Sequence, residues 1–418
     1  VDNKKVRGCR RIYFGSDEIN PVIGVDISKG ESHAQAFLKR GLPFGKVFKF
    51  HHNFEGLTSF LEYIRDVESA AGIRPSVVME ATGHYHSPVV QFLDEHQYVT
   101  IVINPLISFE AKKTNLRRVK TDAADAFQLG MLFYKEEFEP IKKRGQHLMN
   151  LRYLTRQYDS LTGMYVQMKL QFQAILDQVF PEYRGVFGDL YSKVSLKLLA
   201  KYSTSKDVLE MTESEITAAI QSFTGRGRSA LWCMERAQIL MAAARRNPFK
   251  ETAFPSHLIS IQLLIKLLLQ YQEHLTDLVK SIDALAEELL EYDLIQSIPG
   301  IGTKIAATIL AEIGEIDRFE NAKKLVAFAG VDPSVFSSGK FVSTQNRITK
   351  HGSRRLRSAL FQAVRCGIRS NRNKKLRAFY DKKRAEGKLF RVAVIACVNK
   401  LIHWIFAILT KKESFHLD

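Results

Sequence analysis

Residues Pro21–Ser28 read PVIGVDIS, a short apolar run broken by a single acid, Asp26, and the fold is read outward from it. Val22, Ile23, Val25 and Ile27 predict a buried strand, because β-branched side chains suit a pleated surface. A carboxylate inside such a strand is costly unless it is paired, hydrogen-bonded or bound to a cation. Past Gly30, the stretch His33–Leu38 alternates as a second strand, and a Gly/Pro turn at Gly41–Pro43 precedes a third, Lys46–Phe50. Phe54–Val67 then takes helical spacing, with Phe54, Leu57, Phe60, Leu61 and Ile64 on one face. A strand at Ser76–Met79, a helix at Pro88–His96, a strand at Tyr98–Ile103 and a helix at Asp122–Tyr134 follow. The order β-β-β-α-β-α-β-α predicts a mixed α/β domain over residues 19–139, antiparallel in its first three strands and parallel afterwards.

Strand signals stop between residues 146 and 292, where Leu148–Phe180, Arg226–Arg246 and Leu258–Leu289 read as helices. In the last of these, positions 258, 261, 265, 268, 272, 275, 279, 282, 286 and 289 keep 3-4 spacing, and Gln272 alone among them is polar. That is a coiled-coil seam, which a helical hairpin, a second chain or the helix's own domain could cover. A third region, residues 295–418, opens with IPGIG (Ile298–Gly302) before a helix at Lys304–Ile313. It passes a second Gly/Pro interruption at Gly330–Pro333 and a polar Ser/Gly loop, and ends in basic helices.

Charge divides the chain of 418 residues unevenly. Of 61 Lys and Arg against 44 Asp and Glu, the last 79 residues, Lys340–Asp418, hold 20 and 4, a net of +16. The rest of the chain is close to neutral, so the basic end points to a polyanion, most often nucleic acid. Cys9, Cys233, Cys366 and Cys397 lie far apart without metal-ligand spacing, which speaks against a zinc site or a disulfide framework and for a reducing cytoplasm. The N-terminal VDNKKVRGCRRIYFGSDE lacks the apolar core of a signal peptide. The apolar stretch Leu389–Thr410 is broken by Arg391, Asn399, Lys400 and His403, so it reads as a buried helix with no membrane role.

Three more acids join Asp26. Glu80 closes the apolar run Val77–Met79, and Asp122 and Asp125 lie three apart at a helix start, on one helical face with small Ala residues between them. Taken singly, Asp122 reads as an N-cap and Glu80 as a solvated strand end. Four converging carboxylates would repel unless a divalent cation neutralised them, and hard oxygen ligands favour Mg²⁺ or Mn²⁺, the ions of phosphoryl transfer. Farther on, Pro-Gly-x-Gly opening a helix exposes backbone N–H groups at a positive helix end. Gly300, Gly302 and Lys304 are therefore candidate phosphate contacts, with an ordinary glycine turn as the plain alternative. Lys340, Arg347, Lys350, Arg354, Arg355 and Arg357 begin a basic ladder suited to nucleic-acid backbones.

GVDISK, MEATGHY and KTDAADA together resemble the RuvC-like, RNase H-fold domain of the DEDD transposases of bacterial insertion sequences, more narrowly the bridge-RNA-guided recombinases. IPGIGTKIAATILAEIG, AFAGVDPSVFSSGK and RITKHGSRRLRSAL resemble that family's second, transposase-specific domain. The resemblance covers roughly residues 20–135 and 290–370, with a helical coiled-coil insert between. It implies that Asp26, Glu80, Asp122 and Asp125 bind the metal, and that Ser338 is the nucleophile, forming a phosphoserine link to DNA; Ser337 and Ser334 lie close by as alternatives in register. It further implies double-stranded DNA at element ends and target as substrate, a structured guide RNA as partner, and a homo-oligomer, dimer or tetramer, in which serine and acids meet between protomers. A bacterial, cytoplasmic, nucleoid-associated protein is expected. Two other readings use fewer of these residues. A junction-resolvase-like nuclease would need the acids and water but no serine, and a non-catalytic nucleic-acid-binding protein would need only the hairpin and the basic end.

Overall fold

A computed structural model describes residues 20–105, 108, 121–135, 145–224, 227–249, 254–334, 337–338, 341–342 and 347–416. The chain is a mixed α/β sheet region followed by a mostly helical one, and divides into two compact units, Val1–Lys143 and Arg144–Asp418.

The first unit is a five-stranded sheet in the order β3-β2-β1-β4-β5. Strands β1 (Val22–Ile27), β2 (Glu31–Lys39) and β3 (Leu42–His51) form an antiparallel meander, while β4 (Ser76–Glu80) and β5 (Thr100–Ile103) run parallel to β1. The third strand is longer than the alternation predicts, beginning at Leu42 and taking Pro43 into its edge. An edge strand tolerates a residue that cannot donate to the ladder. Helix α1 (Phe54–Ala71) starts at Asn53, whose side chain accepts from the Gly56 amide at 2.9 Å, and stops at Gly72 in the left-handed region. With α2 (His86–Glu95) it covers one face of the sheet, over Ile23, Val25, Ile27, Met79, Phe60, Ile64 and Leu93. Helix α3 (Asp122–Phe133) covers the other, over Val22, Phe37, Val78, Ile101, Leu129 and Phe133. Period-two alternation along β1 and β4 thus sorts each strand's residues between the two cores.

The second unit is built on α4 (Gln146–Val179) and α9 (Pro255–Glu287), each about 50 Å long at 1.5 Å per residue. They are antiparallel, since His147 meets Leu285 while Tyr165 meets Gln272. The predicted seam of α9 therefore has a partner inside this chain. Between them run α5 (Lys193–Lys201), α6 (Ser205–Leu209), α7 (Glu213–Thr224) and α8 (Ala230–Arg246). These helices share a core with Phe172, Leu176, Tyr183, Ile261 and Leu268 at one end of the pair. The other end, with Leu151, Ile282 and Ala286, joins a second core. That core is completed by α10 (Leu290–Gln296), α11 (Thr303–Ile313), α12 (Ala322–Ala329), α13 (Arg354–Ile368), α14 (Lys374–Ala385) and α15 (Phe390–Lys411). Residues 146–292 and 295–418 thus belong to one compact unit with two cores, joined by a stretch of α4 and α9 in which no side chain from 156 to 171 or from 269 to 281 is fully buried. The one polar seam residue, Gln272, donates to the Tyr165 hydroxyl at 2.9 Å and the Tyr191 carbonyl at 2.6 Å, so it is satisfied at the half-buried seam.

Two more expectations meet the structure here. Helix α15 is long and apolar enough to cross a membrane by length and composition, yet Val394, Val398, Leu401, Ile402 and Ile405 pack in the second core. The polar stretch after Pro333, expected as a loop, contains a small hairpin in which β6 (Ser337–Ser338) pairs with β7 (Phe341–Val342). Its base is closed by a bridge between Pro333 and Ile348 and by the Thr349 amide donating to Asp332.

Candidate active site

The first unit places all four predicted acids on the α3 side of the sheet. Gly24 lies directly beneath α3, where an added Cβ would collide with the Ala126 carbonyl and the Gly130 amide. Gly130 faces Phe37 with as little room. Two glycines thus let strand and helix backbones touch, and Asp26, two residues beyond Gly24, shares its face. Val25 of β1 pairs with Met79 of β4, so Asp26 and Glu80 are the next residues on neighbouring parallel strands. Val78 belongs to the α3-side core, which assigns Glu80 to that face too. The Ser108 hydroxyl donates to Glu80 Oε2 at 2.7 Å and fixes its carboxylate.

Asp122 and Asp125 occupy the first turn of α3, one to two turns beyond the Gly24 contact. Leu129, seven residues after Asp122 and four after Asp125, is buried in the sheet-side core, so the acids ride the same side of the helix. Thr121 caps the helix, accepting from the Ala124 amide at 3.2 Å. The N-cap is thus Thr121 itself, and both acids lie inside the helix, where its positive end favours carboxylates.

Sequence reasoning missed two residues of this constellation, Ser108 and His33. The latter stands directly opposite Asp26 in the β1–β2 ladder, and its Nδ1 lies 3.6 Å from Asp122 Oδ2. That nitrogen is buried and has no hydrogen-bond partner among the described residues. A signal for it existed. Gly30 has φ +76°, and the Ser28 amide donates to the Glu31 carbonyl at 3.1 Å, so Lys29-Gly30 is a two-residue hairpin loop that pairs Asp26 with His33. Beyond Glu80, burial holds the half-buried His86 imidazole below its ordinary value, which favours the neutral form.

Among the described residues, no three His, Cys, Asp or Glu side chains stand close enough to share one ion. The donor set nevertheless fits a hard divalent cation. Two carboxylates belong to one sheet face and two to the helix start above it, one is held by a serine hydroxyl, and an orphaned imidazole nitrogen faces another.

In the second unit, Ser338 lies in β6, opposite Phe341. The neighbouring Ser334 spends its hydroxyl on the Arg347 carbonyl, at 2.8 Å. Gly300 has φ +103°, and a Cβ there would lie 2.5 Å from Gly367 Cα. The Asn373 amide also donates to the Pro299 carbonyl at 3.2 Å, so the IPGIG turn packs against the junction of α13 and α14. Gly302 caps α11 in the open, and Lys304 donates to the Tyr158 hydroxyl at 2.8 Å while lying over its ring. Arg347, Lys350 and Arg354 are exposed. Arg355 pairs with Asp159 at 3.4 Å, and Arg357 donates to the Ala329 carbonyl at 2.9 Å. Lys340 lies outside the described residues.

The sequence matches two family models, the DEDD transposase model of the IS110 type over residues 23–181 and the transposase model of the IS116/IS110/IS902 family over residues 292–381, together more than half the chain. It is 25% identical over 306 residues to the 44.8 kDa protein of insertion element IS116 from Streptomyces clavuligerus, covering 71% of this chain and 72% of that one. It is 31% identical over 149 residues to the transposase of insertion sequence IS1111A from Coxiella burnetii, covering 35% of this chain and 41% of that one. It is also 31% identical over 122 residues to the pilin gene-inverting protein of Moraxella bovis, covering 29% and 38%. Between them the two models span all four acids and Ser338. The chain belongs to the IS116/IS110/IS902 family of transposases, enzymes that cleave and rejoin DNA.

Proposed function

We propose that the chain is the transposase of an insertion sequence, cutting and rejoining DNA through a phosphoserine intermediate at an RNase H-like metal site. The observation that carries this reading is the common face of Asp26 and Glu80, at matching positions on adjacent parallel strands, with Asp122 and Asp125 at the helix start above them. Asp26, Glu80, Asp122 and Asp125 would hold Mg²⁺ or Mn²⁺. When bound, the ion supplies Lewis-acid stabilisation of charge on the phosphate.

The chain's own residues do the rest. Ser338 Oγ attacks the DNA phosphorus, the bond from phosphorus to one deoxyribose oxygen breaks, and that oxygen leaves with the proton the serine gave up. The phosphoserine ester conserves the bond energy, so a hydroxyl from another strand can displace the serine and reseal the backbone. Gly302, Lys304, Arg347, Lys350, Arg354 and Arg355 contact nucleic-acid backbones, Lys304 and Arg355 after leaving their partners on α4. A structured RNA from the element selects the sites by pairing, while the protein reads backbone and shape. A dimer or tetramer brings Ser338 of one protomer to the acids of another, in a bacterial, nucleoid-associated setting.

Replacing one acid tests the metal site. Asp122→Asn should lower Mg²⁺-dependent strand cleavage of element-end DNA by at least 10³-fold, about 4 kcal/mol of transition-state stabilisation, while DNA binding in a mobility-shift titration stays within about threefold of wild type. Unchanged cleavage by Asp122→Asn would remove the acids from the chemistry.

A further inference from the structure

We infer that His33 is a positioning residue of the acid site, holding the Asp122 carboxylate in the orientation that receives a divalent cation. The inference rests on the metal-site reading above. Three observations converge on this imidazole. It stands opposite Asp26 in the antiparallel ladder, so both side chains rise from the same face. Its Nδ1 is 3.6 Å from Asp122 Oδ2, across the gap between sheet and helix start. That nitrogen is shut off from solvent with no hydrogen-bond partner among the described residues, which is an expensive way to leave a polar atom.

A small rotation of the Asp122 side chain would bring Oδ2 within hydrogen-bond distance of Nδ1–H. A cation held by the acids would favour that orientation, satisfying the orphaned nitrogen at the same time. His33 then fixes one oxygen of Asp122 and leaves the other for the ion. Such outer contacts orient metal-binding carboxylates, and losing one typically weakens metal affinity 10–100-fold. Asp122 is more than half exposed, so the His33 contact is what gives its carboxylate direction.

The test is Mn²⁺ binding by the full chain without nucleic acid, followed by the loss of the free-Mn²⁺ paramagnetic signal, with melting in chelator as a separate measure of folding. His33→Leu removes the donor, His33→Gln displaces it by one bond, and His33→Asn returns an amide N–H near the position of Nδ1. The expected result is Mn²⁺ affinity weakened about 10–100-fold in His33→Leu and His33→Gln and recovered to within about threefold in His33→Asn, with melting in chelator within a few degrees of wild type for all three. Wild-type affinity in His33→Leu or His33→Gln overturns the inference, as does an His33→Asn protein as weak as His33→Leu. Asp122→Asn is the control for the underlying reading. If wild type and Asp122→Asn bind Mn²⁺ alike, the acid site itself falls and the role of His33 falls with it. If only Asp122→Asn weakens binding, the acid site stands and His33 alone is excluded.

Discussion

Gly24 and Asp26 sit two residues apart on β1, and the first makes room for the helix that the second faces. Any side chain at Gly24 meets the backbone of Ala126 and Gly130 rather than a side chain that could swing away. Gly24→Ala should therefore cost about 3 kcal/mol, the upper end for overpacking, read as a lower denaturant midpoint for the sheet unit. It should also lower metal-dependent cleavage, because α3 carries Asp122 and Asp125; a midpoint within error of wild type would contradict the close approach. The glycine was visible in GVDIS, but its purpose was not. Its neighbour Gly130 lies 106 positions away in sequence, and nothing local announces that two backbones must touch. Asp26, by contrast, was legible because an acid inside an apolar strand needs a reason on its own. His33 was half legible, since its strand was evident while its register depended on the Lys29-Gly30 turn.

Among the elements, the long helices α4, α8 and α9 followed from periodicity, whereas the short ones between Lys193 and Thr224 did not, and the seam on α9 found its partner in α4. The contacts that fix α4 against the rest of its unit were harder to foresee. Glu312 on α11 is fully buried and accepts from Arg156 at 2.8 Å and from the Ser353 hydroxyl at 2.9 Å, with Arg152 at 3.4 Å. In sequence it is one acid in an ordinary helical run, and its partners lie 156 and 160 positions earlier. Ser353 is the N-cap of α13 and closes the segment that begins with the Ser338 hairpin, so Glu312 ties that segment's end to α4. Glu312→Ala should destabilise the second unit by about 1–3 kcal/mol, because it leaves two partly exposed arginines and the Ser353 hydroxyl without their buried acceptor. Thermal melting followed by circular dichroism checks this, and a loss under about 1 kcal/mol would show that solvent reaches the arginines readily. The IPGIG turn is a similar case. Its glycines suggested phosphate contacts, yet Gly300 serves close packing against Gly367, while Gly302 is left at the open helix start.

At the scale of the whole molecule, the acids lie in the first unit, and the serine and the basic end lie in the second. The near-neutral part of the chain contains four carboxylates on the α3 side of the sheet, and most of the basic residues among the last 79 belong to folded helices rather than a tail. Charge arithmetic thus identified the class of partner but not the chemistry, for which the proposed residues are four positions in one unit and one in the other. Family membership fixes the kind of enzyme; the covalent step through Ser338 is the claim that goes furthest. It is tested most directly by incubating the full chain with element-end DNA, Mg²⁺ and the RNA transcribed from the element's flank, then mapping the protein by mass spectrometry. The account predicts a nucleotide linked to Ser338, absent from Ser338→Ala, whose strand exchange is abolished. Active strand exchange with an unmodified Ser338, or full activity in Ser338→Ala, would contradict it.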